Sequence, residues 1–105
     1  MTVKLVPTIP ETVTLCGLEI KTVYEAHMAA DYDRWGDFSN RTHVIALEKE
    51  MSVQKALLTY CHELSHAIVE IHALKDMEES DIQAIGLGIY ELLMQGKLCK
   101  VVEEP

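Results

Sequence analysis

Basic residues are scarce in this chain. Nine Lys and Arg stand against seventeen Asp and Glu, for a formal net charge of −8 over 105 residues. Binding a phosphate backbone needs clustered cations, and these nine are scattered, so nucleic acid is not an expected partner. Cysteine is equally sparse. Cys16, Cys61 and Cys99 are odd in number and contain no C-x-x-C pair, which fits core thiols in a reducing compartment better than a disulfide framework. No apolar run approaches membrane-spanning length, and the N-terminus lacks a signal-peptide pattern. Repeats and low-complexity segments are missing too. The expectation is a cytoplasmic protein with no membrane partner, folded as a single domain over residues 1–105. Its 49% apolar content is enough for one modest core.

What is present sorts into two kinds of periodicity. Val13 and Leu15 alternate with threonines, Gly17 breaks the run, and Leu18 and Ile20 alternate with Glu19 and Lys21. A period of two with a central break predicts two strands joined by a turn at Cys16-Gly17. Arg41 to Leu47 alternates in the same way and predicts a third strand. Residues 25–40 carry Asp31, Asp33, Gly36, Asp37 and Asn40, which mark loops and turns. Trp35, the only Trp, reads there as a loop anchor packed on the core. His27 and His43 are isolated and read as surface or strand residues.

From Val53 to about Leu74 there is no Gly or Pro. Leu57, Cys61, Leu64, Ile68 and Ile71 recur at steps of three and four, the stripe of an amphipathic helix, and Ser52 suits its N-cap. A second helix is expected from about Glu78 to Gln95, with Ile82, Ile85, Ile89 and Leu92 facing the core and Gly96 as its stop. The fold class is therefore α+β: a small antiparallel sheet of about three strands packed on two main helices.

The first helix contains His62-Glu63-Leu64-Ser65-His66, an H-E-x-x-H sequence. Histidines four apart lie one turn apart on one side of a helix, so both imidazoles can meet one ion. Zinc suits such a pair. Glu63 can sit beside the ion without binding it and serve as general base for a water. Both histidines fall roughly opposite the apolar stripe, leaving one face for the core and one for the ion.

A catalytic zinc needs a third protein ligand. His72 follows His62 at the long H-E-x-x-H-x-x-G-x-x-H spacing, but Val69 replaces the bending Gly. On a continuous helix His72 points about 120° from His66. The second helix offers Glu79, Gln83, Gly86 and Tyr90 on one stripe, with Gly86 placed for close helix approach. Glu79 is the favoured ligand, and Gln83 lies one turn on, in support of it or in its place. Tyr90 is either a hydrogen-bond donor to a developing oxyanion or simply a packed tyrosine.

The chain resembles the small zinc metallopeptidases of bacteriophages and prophages, similar in pattern to ImmA/IrrE-type peptidases. The resemblance rests on the strands around Gly17, Trp35-Gly36 before a strand, the run Leu57 to Ile68, and an acidic helix start leading to Gly88-Ile89-Tyr90. It implies a minimal zincin-like fold, with His62 and His66 as ligands, Glu63 as base and an acidic third ligand from the second helix. Relatives often carry a second Glu where Gln83 stands. The function it implies is zinc-dependent hydrolysis of a peptide bond in a protein or peptide substrate, in a host cytoplasm if phage-encoded. The competing reading is a non-catalytic, metal-stabilised module that binds a host protein. An extended substrate is expected to pair with the strand Arg41–Leu47.

Overall fold

The computed structural model describes residues 2–3, 8–72, 74, 76–94 and 102–103. In chain order the elements are β1 (Thr2–Val3), β2 (Thr12–Leu15), β3 (Leu18–Glu25), α1 (Met28–Tyr32), β4 (Gly36–Ser39), β5 (Val44–Glu48), α2 (Val53–Ile71), α3 (Glu79–Met94) and β6 (Val102–Glu103). The fold is α+β, as the two periodicities predict. The main sheet has four strands in the order β2-β3-β5-β4.

The β2–β3 hairpin turns at Cys16 and Gly17, whose φ values are 49° and 79°. Two-residue hairpin loops of the primed kind need a positive φ of this sort, which glycine adopts freely. Leu15 faces Leu18 across the turn, so the apolar alternation of the two strands stays in register.

The sheet is mixed, not antiparallel. β3 and β5 run parallel, from Lys21 opposite Val44 to Glu25 opposite Glu48. The reason lies in residues 25–40, which were expected to be loop. They form α1 and the edge strand β4, which pairs antiparallel with β5 from Gly36 opposite Leu47 to Ser39 opposite Val44. The chain crosses over from β3 through α1 and β4, so β5 enters beside β3 in the same direction. Glu48 anchors the crossover. Its carboxylate accepts the Ala29 N–H at 3.0 Å and the Glu50 N–H at 3.1 Å, and these backbone bonds hold its pKa below the usual carboxylate range.

The core joins Ile20, Ile45 and Leu47 of the sheet to Tyr60 of α2, with Phe38, Leu64 and Ile71 packed around them. Each such aliphatic side chain contributes about 1.5–3 kcal/mol by leaving water. Ser52 caps α2 as expected, its hydroxyl accepting the Lys55 N–H at 3.2 Å. Buried positions on α2 run nearly round the helix, because the sheet covers one side and α3 another. Ser65, 1% exposed, satisfies its hydroxyl by donating to the Cys61 carbonyl at 2.8 Å.

On α3 the expected apolar stripe is only partly inward. Ile82 and Gly86 are buried, whereas Ile85 and Leu92 are 43% and 42% exposed. Close approach at Gly86 centres the helix contact on the Ile82–Gly86 line and rolls Ile85 and Leu92 outward. Cys61 is the buried thiol that was expected, but Cys16 sits exposed in the hairpin turn. Val102 and Glu103 pair with β1, Val102 opposite Val3 and Glu103 opposite Thr2. Gln95, Gly96 and Cys99 lie outside the described residues. Among the described residues, no helix is long and apolar enough to cross a membrane.

Candidate metal centre

The uninterrupted turn from His62 to His66 brings their Nε2 atoms to 3.2 Å, with the rings edge to face at an interplanar angle of 82°. Glu79 opens α3 directly across from them. Its carboxylate lies 2.8 Å from His62 Nε2 through Oε1 and 3.1 Å from His66 Nε2 through Oε2. Two features of the sequence put it there. The Asp81 carboxylate accepts the Glu78 N–H at 3.1 Å and starts the helix at the right residue. Gly86 then lets the helices meet. A Cβ at Gly86 would stand 2.9 Å from His62 Cα, so any larger residue would push α3 and its carboxylate away.

A tetrahedral ion bound at zinc-like lengths needs ligand atoms roughly 3.3 Å apart. The three groups already converge at 2.8–3.3 Å. Hydrogen bonding alone accounts poorly for this. If both imidazoles donate to Glu79, two N–H groups of like polarity are left 3.2 Å apart. His62, His66 and Glu79 thus form a group that could hold a metal ion.

Glu63 is not one of the three converging groups but lines the same cavity as His62 and Glu79, and it is 7% exposed. Burial pushes its pKa up to about 7, with Asp37 and Glu79 adding to the rise while His66 and Arg34 oppose it. Its place depends on β4. A Cβ at Gly36 would lie 2.6 Å from Thr59 Cγ2 and 3.1 Å from Glu63 Cγ, so the bare backbone there lets the edge strand close over α2. A cavity of about 390 Å³ opens between α3 and the segment Arg34–Gly36, with His62 and Glu63 on its α2 wall.

Several expected residues sit elsewhere. His72 ends α2 with its ring 3.5 Å from the Cys16 sulfur, outside the trio. Gln83 lines the cavity but is not among the converging ligands. Tyr90 is half-buried, eleven residues beyond Glu79, or roughly 16 Å along the helix, and is not among the cavity's lining residues. The structure does not bring it to the site. His27 and His43 occupy left-handed backbone positions, with φ 67° and 57°. β5, expected as the substrate-pairing edge, is internal, and the edge on this side of the sheet is β4.

Trp35 differs most from expectation. It is 41% exposed and lines the cavity, with Lys55 Nζ 3.2 Å from its ring centroid. Its carbonyl accepts the Glu48 N–H at 2.8 Å, which pins the backbone to β5 while the side chain turns toward α2. Arg34, beside it, pairs with Asp37 at 3.3 Å. Sequence reasoning missed Arg34, Leu58, Thr59 and Leu87 as cavity residues. The one available signal was Trp35-Gly36 directly before a strand.

Comparison with known proteins adds no relative: no family model matches the chain, and no curated protein or solved structure matches it significantly.

Proposed function

We propose that this protein is a zinc-dependent peptidase acting on a protein or peptide substrate. The observation that carries the reading is the convergence of His62, His66 and Glu79 near a buried Glu63, with His62, Glu63 and Glu79 lining a cavity of about 390 Å³. Two imidazoles and one carboxylate are the donor set of catalytic zinc sites that keep an open position. Bound zinc supplies Lewis-acid polarisation of the carbonyl and lowers the pKa of a water to about 7.

The chain's own residues do the rest. Glu63 accepts the proton of the attacking water on a carboxylate oxygen and returns it to the leaving amine. A carboxyl group can do both, taking the proton as a base and releasing it as an acid. The outer edge of β4 offers backbone groups to an extended substrate, and Gly36 keeps that strand against Glu63.

The test is cleavage of a denatured protein pool, read by mass spectrometry, with zinc-loaded wild type and Glu63→Gln. Glu63→Gln should keep one zinc per chain and lose roughly 10²–10⁴ in rate. Cleavage at the wild-type rate by Glu63→Gln would refute the assignment of the base. Zinc retained by a wild type that cleaves nothing would favour the metal-stabilised interaction module.

A further inference from the structure

Two leucines on different helices open onto the same cavity as His62 and Glu63. Leu58 is 37% exposed and Leu87 is 44% exposed. Folding gives little reason for them, since side chains this wet contribute little to a core. Their positions are systematic. Leu58 lies one turn before His62 on α2, about 6 Å along the axis. Leu87 lies two turns beyond Glu79 on α3, with Gln83 between them on the same side of the helix. The cavity therefore changes character along its length. His62, Glu79 and Glu63 stand at one end, Leu58 and Leu87 form its helical walls toward the other, and Trp35 adds an aromatic wall.

We propose that this apolar end is a subsite for a large aliphatic or aromatic side chain of the substrate, about two extended residues from the bond held near His62. The proposal rests on the peptidase reading above. Charge on the cavity supports it. Arg34 is engaged by Asp37 at 3.3 Å, and Lys55 sits over Trp35 at 3.2 Å, so both nearby cations already have partners. An acidic side chain entering there would lose its hydration without gaining a free counter-charge. An apolar one would remove Leu58, Leu87 and itself from water together.

The experiment compares two zinc-binding probes on zinc-loaded protein by calorimetry: acetohydroxamate, which carries only a methyl group, and 4-phenylbutanohydroxamate, which reaches along the cavity. The phenylbutyl probe should bind at least about tenfold tighter. That ratio should fall toward one in Leu58→Ser and in Leu87→Ser. Leu92→Ser removes an equally exposed leucine of α3 outside the cavity and should keep the wild-type ratio. Equal binding of both probes to the wild type overturns the subsite and leaves the metal site standing. So does a ratio that survives both cavity variants, or one that collapses as much in Leu92→Ser. Failure of both probes to bind zinc-loaded protein shows that the ion has no open position, which overturns the peptidase reading and this subsite with it.

Discussion

At the scale of single residues, the third ligand is the sharpest question. Glu79 contacts both imidazoles, Gln83 stands one turn on, and His72 lies against Cys16. Zinc affinity, read as the ion retained after dialysis, should fall in Glu79→Ala by more than the roughly 10–100-fold that loss of a mere supporting partner costs. Gln83→Ala and His72→Ala should retain the ion. Loss in either of these with retention in Glu79→Ala would reverse the assignment. Glu63 offers a second measurement, on the metal-free protein. Its folded pKa of about 7 lies above its ordinary value of 4.5, so the folded chain keeps a proton that the unfolded chain releases. This group's contribution is therefore fully present below pH 4.5 and is lost as pH rises toward 7, a swing of about 3 kcal/mol. Glu63→Gln, which stays neutral, should raise the melting temperature of metal-free protein at pH 8 and leave it nearly unchanged at pH 4. An equal effect at both pH values would mean that Glu63 is not held protonated by its burial.

At the scale of elements, the contact between α2 and α3 decides whether the site exists. Gly86 and Gly88 are both glycines inside α3, so helix propensity treats them alike. Packing separates them. A Cβ at Gly86 meets the His62 backbone at 2.9 Å, while one at Gly88 meets nothing within 4 Å. Gly88→Ala should stabilise the protein by roughly 0.5–1 kcal/mol in denaturant unfolding. Gly86→Ala should cost about 1–3 kcal/mol and weaken zinc binding as well, because Glu79 retreats with its helix. Similar stability changes in the two variants would show that the helices do not approach as closely as this. β4 plays the matching part on the other side, since its backbone at Gly36 lies against the same turn of α2 that carries Glu63.

At the scale of the whole molecule, metal and fold should be linked. The ligands come from two separate helices, α2 and α3, so an ion that binds them stabilises the folded state over the unfolded one. Zinc at about 100 times its dissociation constant adds about 2.7 kcal/mol, which for a chain of this size corresponds to a melting-temperature rise of roughly 10–20 °C. A chelator should remove that increment. The zinc-dependent rise should also shrink between pH 7.5 and pH 5, because an imidazole binds metal only in its neutral form. A melting temperature indifferent to both zinc and chelator would exclude this linkage.

The sequence by itself determined the local elements and half of the site. Alternation fixed β2, β3 and most of β5, and the three-and-four spacing with Ser52 fixed α2. Within α2 the four-residue spacing was enough to bring His62 and His66 together, because a helix converts sequence distance directly into direction. Tertiary structure decided what depends on elements meeting. β4 has only Phe38 as a large apolar residue, so no period announces it, and it exists because β5 offers it an edge. With it came the parallel β3–β5 pairing and the exposure of Trp35 on the cavity. The choice among Glu79, Gln83 and His72 is of the same kind. All three have suitable spacing in the sequence, but only the close approach at Gly86 and the start of α3 at Glu79 select which one reaches the imidazoles. Distances along the chain say nothing about the angle at which two helices cross. That angle is set by which side chains are small enough to let them touch.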